Sequence, residues 1–123
     1  MLKKHDMNVL VVDDEPAVRD FLSRFFKFEG IGLKCAQDSA KAIDAASQEK
    51  FDIIFIDVKM SGMNGVELLE ELKKINANAV YVMMTGYAVD DMLKEAEKKG
   101  AIVSLKKPFE IGEIKKIIAG AKK

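Results

Sequence analysis

The chain has 123 residues, 49% of them hydrophobic, which is enough for one domain with a buried core. Lys plus Arg and Asp plus Glu each number 20, and this balance argues against a protein whose main task is gripping nucleic acid. No apolar run reaches membrane-spanning length, the start Met1-Leu2-Lys3-Lys4-His5 has no apolar signal segment behind it, and the single cysteine, Cys35, rules out an internal disulfide, so a reducing cytoplasm is the expected setting.

Strands and helices alternate five times, with no repeat or linker. The run Asn8-Val9-Leu10-Val11-Val12 reads as a buried strand that stops at Asp13 and Asp14. Pro16 suits the first turn of a helix, with Val18, Phe21, Leu22 and Phe25 inward and Gly30 as its stop. A short strand covers Leu33 to Ala36, in an alternating stretch where Cys35 reads as a small buried hydrophobe. Asp38 or Ser39 caps a second helix with Ala40, Ile43 and Ala46 inward. The run Phe51-Asp52-Ile53-Ile54-Phe55-Ile56 is a third strand, ending at Asp57. Asn64 caps a third helix whose inner face carries Leu68, Leu72 and Ile75. Ala79 to Met84 form a fourth strand ending at Thr85, and a fourth helix carries Val89, Met92, Leu93 and Ala96 up to Gly100. Ile102 to Leu105 form the fifth strand, followed by Lys106-Lys107-Pro108 and a last helix with Ile111, Ile114 and Ile118 inward.

Such alternation predicts an α/β fold, a doubly wound parallel sheet with helices on both faces and one domain over residues 1–123. Functional groups in such sheets collect at the carboxyl ends of the strands. Here those ends carry Asp13, Asp14, Asp57, Thr85 and Lys107. Buried carboxylates are costly unless paired, hydrogen-bonded or bound to a metal. If the first and third strands are parallel neighbours, three of them converge, and a hard divalent cation is the natural way to hold them. A phosphoryl group on Asp57 would need that cation as a bridge, an ammonium from Lys107 and a hydroxyl from Thr85. Little beyond positioning and charge neutralisation is required for its transfer.

At these positions the chain resembles the receiver domain of two-component response regulators. The resemblance rests on Val11-Val12-Asp13-Asp14-Glu15, Ile56-Asp57-Val58-Lys59-Met60, Met63-Asn64-Gly65, Met84-Thr85-Gly86 and Lys107-Pro108-Phe109. Each segment is weak alone, but all five occur in order at the ends of the right strands. The resemblance implies a flavodoxin-like (βα)5 fold with strand order 2-1-3-4-5, the order for which the chemotaxis receiver is a standing example. It implies that Asp57 is the phosphoacceptor and that Asp13, Asp14, Asp57 and the backbone carbonyl of Lys59 hold Mg²⁺. Thr85 becomes the switch hydroxyl and Lys107 the phosphate-binding lysine. A sensor histidine kinase or phosphotransfer protein supplies the phosphate. A downstream protein or a second copy binds the face made by the fourth helix, fifth strand and fifth helix. No direct contact with nucleic acid or membrane is implied.

Two positions depart from the family pattern. Ser61 stands where receivers usually have Pro, and Ser104 stands where many carry an aromatic switch residue. Tyr87 and Lys59, at positions that tune dephosphorylation in the family, flank the phosphate. Because Ser104 cannot fill the space behind Thr85, either Tyr87 occupies it or activation runs through the loop and the fourth helix alone; the second is expected. The blander readings carry less weight together than singly. Asp13 or Asp14 could cap the first helix, yet two acids exceed a cap's needs. His5 reads as inert surface, Lys106 as solvated, and Met60, Met63, Met83, Met84 and Met92 as packing. A turnover enzyme is not expected: Val58 and Lys59 after Asp57 break the Asp-x-Asp pattern of dehalogenase-like phosphatases, and no P-loop is present. A DNA-binding regulator would need an output domain, which the chain is not expected to carry.

Overall fold

A computed structural model describes residues 7–60, 63–86, 90–100, 103–107 and 109–121, without the side chains of residues 90–93 and 103. The strands are β1 (Asn8–Val12), β2 (Gly32–Ala36), β3 (Ile53–Asp57), β4 (Val80–Thr85) and β5 (Val103–Lys106). The helices are α1 (Pro16–Phe28), α2 (Ser39–Gln48), α3 (Gly65–Ile75), α4 (Asp90–Lys98) and α5 (Ile111–Ala121). All strand pairs are parallel, in the order β2-β1-β3-β4-β5. This is the expected flavodoxin-like sheet.

The sheet separates two cores. Val9, Val11, Ile53, Phe55, Val82, Met84 and Leu105 pack against α1 and α5. Leu10, Val12, Ile54, Ile56, Tyr81 and Met83 pack against α2, α3 and α4. Residues alternate between faces along each strand, and both faces are covered. That is why β1 and β3 read as unbroken apolar runs. Tyr81 is the largest side chain buried completely. Its hydroxyl donates to the backbone carbonyl of Asn76 at 2.6 Å, and the Asn76 amide donates to the Phe51 carbonyl at 2.9 Å. Burial pushes the Tyr81 hydroxyl up to about 12.

The helix ends follow the chain's polar punctuation. Pro16 opens α1. Gly30, at φ +73°, closes it, with Ile31 N–H donating to Phe26 O and Gly30 N–H to Lys27 O. Asp38 caps α2 by accepting from Lys41 N–H at 2.8 Å. Asn64 caps α3 in a reciprocal box with Glu67.

The inward faces of the helices differ from the expected stripes. In α1, Leu22, Phe25 and Phe26 are buried, while Phe21 is 40% exposed. In α2 the buried residues are Ala42, Ala45 and Ala46, not Ala40. In α3, Val66 and Leu69 join Leu68 and Leu72, and Ile75 is largely exposed. In α5, Ile117 replaces Ile111, which is 46% exposed. Ile75 and Ile111 are terminal residues of their helices, and Phe21 in mid-α1 turns to the Phe109 ring. Cys35 is exposed, against expectation, because β2 is an edge strand with a thin cover; its sulfur lies 3.4 Å from Ser23 Oγ. Ala96 is buried in α4 as expected. His5, Ser61, Tyr87, Val89, Ile102 and Pro108 and the side chains of Met92 and Leu93 lie outside the described residues.

One close approach ties the fold to the end of β3. A Cβ added to Gly65 would sit 2.5 Å from the Asp57 carbonyl oxygen and 2.8 Å from Val58 Cα. Gly65 N–H donates to Val58 O at 2.9 Å, and Val58 N–H donates to Met84 O at 2.8 Å. The start of α3 thus lies directly on the chain leaving Asp57. Gly65→Ala is expected to cost about 1–3 kcal/mol, the usual range for overpacking. Urea unfolding followed by circular dichroism measures it; an unchanged midpoint would show that α3 does not press on this backbone.

Candidate functional site

The strand register brings the acids together. Val12 is level with Ile56 across β1 and β3, and Asp57 is level with Met84 across β3 and β4. Asp13 therefore emerges beside Asp57 at the carboxyl edge of the sheet. Asp13 is fully buried, and Asp57 and Thr85 are 5% and 2% exposed. Asp14 turns to solvent. Carboxylate oxygens of Asp13, Asp14 and Asp57 lie within 4.8 Å of one another, the one such acidic cluster among the described residues.

Each group is held by its own backbone surroundings. Asp13 Oδ1 accepts from Glu15 N–H at 2.9 Å, and Arg19 donates to the Asp13 carbonyl at 2.8 Å. Neither acid caps α1, whose N-cap is Glu15. Asp57 Oδ1 accepts from Lys59 N–H at 3.3 Å. Lys107 N–H donates to Thr85 O at 2.7 Å, carrying the β4–β5 ladder one step beyond β5. This fixes the lysine at the sheet edge. Its Nζ lies 2.8 Å from Asp13 Oδ2, 2.9 Å from Glu15 Oε1 and 3.4 Å from Asp57 Oδ2. Lys106, next to it, is exposed, as expected.

The electrostatics follow from burial and crowding. Burial and then the charge of Asp13 push the Asp57 carboxyl from 3.8 up to about 6, against the pull of Lys107 and of Lys59 N–H. Burial alone would lower the Lys107 ammonium. Hydrogen bonds and charge from Asp13, Glu15 and Asp57 outweigh it and leave the group raised, so Lys107 stays protonated. Asp13 Oδ2 is buried with no well-directed hydrogen bond; the nearby ammonium compensates by charge more than by geometry. An under-bonded carboxylate oxygen among all-oxygen donors suits a small hard cation. Above the acids opens a cleft of about 540 Å³, lined also by Lys59, Thr85 and Lys107 and rimmed by Phe21 and Phe109. The two rings lie 6.1 Å apart.

Asp13, Asp14, Asp57, Thr85 and Lys107 thus meet at one place, with Lys59 at the cleft wall. Sequence reasoning assigned no role to Glu15, Arg19 or the aromatic rim. Glu15 and Phe109 stand within the diagnostic segments, but only the folded chain puts Glu15 against Lys107.

Residues 9–119 match the sequence family described as the response regulator receiver domain. The chain belongs to that family. Receiver domains are signalling modules of two-component systems, phosphorylated on an aspartate. This receiver is 36% identical to the sporulation initiation phosphotransferase F of Bacillus subtilis over 107 residues, 87% of this chain and 86% of that protein. It is 31% identical to the regulatory protein AtoC of Escherichia coli over 113 residues, but spans only 24% of that longer protein. Among solved structures it resembles a CheY-like receiver from Methanospirillum hungatei (TM-score 0.87, 27% identity, 94% of this chain and 96% of that one). It also resembles a Burkholderia pseudomallei response regulator described with a phosphorylated aspartic acid, a calcium ion and citrate (TM-score 0.84, 28% identity, 94% of this chain and 72% of that one). No helix of the described residues is long and apolar enough to cross a membrane.

The raised Asp57 carboxyl gives this receiver a pH signature. The folded state holds that proton more tightly than the unfolded chain does. Its ionisation therefore costs stability as pH rises from about 4 to about 6, and the full cost stands above 6. In metal-free buffer, Asp57→Asn is expected to melt a few degrees higher than the parent at pH 7.5, with the gap closing near pH 4. A gap independent of pH would contradict the assignment.

Proposed function

We propose that Asp57 is the phosphoacceptor of this receiver, and that Asp13, Asp14, Asp57 and the Lys59 carbonyl hold Mg²⁺. The observation that carries this reading is the position of Asp57: buried at the floor of an open cleft, between an acidic cluster and a fixed ammonium. Mg²⁺ bound there supplies charge neutralisation between the carboxylate and the incoming phosphoryl oxygens. Everything else falls to the chain. An Asp57 carboxylate oxygen attacks phosphorus as the bond from phosphorus to the donor's imidazole nitrogen breaks, and the electron pair leaves with that nitrogen. The Lys107 ammonium takes one phosphoryl oxygen and the Thr85 hydroxyl another. Burial of Asp57 excludes water from the face opposite the cleft mouth.

The donor is a histidine kinase or a phosphotransfer protein, approaching over the rim where Phe21 and Phe109 meet solvent. The chain works as a phosphorylation-dependent binding module in the cytoplasm, as one domain, and not as a turnover enzyme. The phosphate is read on the face of α4, β5 and α5. The Thr85 carbonyl bonds to Lys107, and Thr85 is level with Lys106, so movement of either site residue strains the β4–β5 edge. Ser104 is exposed on β5 beside Met83, and its own side chain is too small to swing inward as a ring would. That supports a readout carried by backbone and helix displacement.

Acetyl phosphate with Mg²⁺ is expected to add one phosphate to the parent and none to Asp57→Asn, read by intact mass. Equal labelling of the variant would remove Asp57 from the role. Mg²⁺ alone is expected to raise the melting temperature, more at pH 7.5 than at pH 5, where protons compete for Asp57. No shift at millimolar Mg²⁺ would deny the acids their ligand role.

A further inference from the structure

Lys107 makes its two shortest ionic contacts away from the acid it is to serve. Its Nζ is closer to Asp13 (2.8 Å) and Glu15 (2.9 Å) than to Asp57 (3.4 Å). Asp13 is buried and belongs to the acidic cluster. Glu15 is different: its side chain is 58% exposed, and it stands outside that cluster.

The local backbone aims Glu15 at Lys107. Its N–H is held by Asp13 Oδ1, and Pro16 begins α1 immediately after it. Glu15 occupies the N-cap position, yet its side chain makes no capping hydrogen bond. The carboxylate reaches across the cleft mouth and accepts from the Lys107 ammonium. A phosphoryl group on Asp57 adds about −1.5 to −2 charge and needs that same ammonium. Glu15 and the phosphoryl oxygens therefore compete for one donor.

We propose that Glu15 is a positioning residue that holds Lys107 back from the phosphoryl site, slowing phosphorylation of Asp57. This rests on the roles of Asp57 and Lys107 proposed above. Removing the contact frees the ammonium to meet the incoming group. The expected gain is about two- to fivefold, the range open to a half-exposed ion pair.

Three variants separate the contact from the charge. Glu15→Gln removes the charge. Glu15→Asp keeps it on a side chain one methylene too short to reach Lys107. Asp20→Asn removes a charge from an exposed position on α1, where Asp20 pairs with Arg24 and not with Lys107. The initial rate of phosphate uptake is measured by intact mass at low acetyl phosphate and fixed Mg²⁺. Both Glu15 variants are expected to be about two- to fivefold faster than the parent, with Asp20→Asn unchanged. A second readout needs neither metal nor phosphate: in the metal-free protein the Lys107 ¹³Cε–¹Hε resonance shifts in both Glu15 variants and not in Asp20→Asn. If Glu15→Gln is fast but Glu15→Asp matches the parent, the carboxylate acts through its field alone and the proposal is overturned. Parental rates in both variants, with the parent labelled at Asp57, overturn it while leaving the phosphoacceptor in place. A parent that takes up no phosphate removes both.

Discussion

Lys107 sets its ammonium against buried carboxylates at the carboxyl edge of the sheet, and the architecture above it depends on that pairing. Asp13 has no solvent of its own and an oxygen without a directed hydrogen bond. Taking away the partner of a buried charge costs about 3–5 kcal/mol in typical cases. The lysine in turn is fixed by the main chain, through the bond from its N–H to the Thr85 carbonyl. Even so, three clustered acids and Glu15 crowd around it. Burial, and then the charge of Asp13, raises Asp57 and weakens the fold when that carboxyl ionises. The same crowding of acids suits a cation. Stability has been given up where chemistry is to occur.

Topology explains why so few residues suffice. With β1 and β3 adjacent, two strands deliver their terminal acids to one point without any loop having to carry them. β4 and β5 deliver the hydroxyl and the ammonium from the other side. Asp14, one residue further along the chain, faces solvent. The close seat of Gly65 on the chain leaving Asp57 adds a third support. Asp57 is thus held by the strands and by α3 together.

Much of this was legible from the residues. Asp57 and Asp13 stood out because buried strands are apolar to the end, and an acid at the end must be explained. The strand order followed from the family resemblance, and the cap at Asn64 from local chemistry. Less legible were the helix faces. A 3.6-residue period marks a stripe, but not which of its members is covered, so Phe21, Ile75 and Ile111 were placed inward and are exposed. Cys35 failed for a related reason: alternation on an edge strand says which face a residue takes, not whether that face is covered. The contact between Glu15 and Lys107 was invisible. It spans 92 positions, and a glutamate after two aspartates carries no mark of a partner so distant. Nor could spacing reveal the rise in Asp57, which comes from desolvation in the finished fold.

The central place of β1 has a consequence for how the molecule comes into being. Its strand precedes β2 and β3 in the chain, yet it lies between them and finds both partners only later. Asp57 leaves the ribosome well before Lys107, and the pairing of β4 with β5 is what brings that lysine to the acids. A nascent chain therefore presents an acceptor aspartate with no ammonium beside it and no closed cleft around it. The set of acids and ammonium is therefore complete only once β5 has docked beside β4.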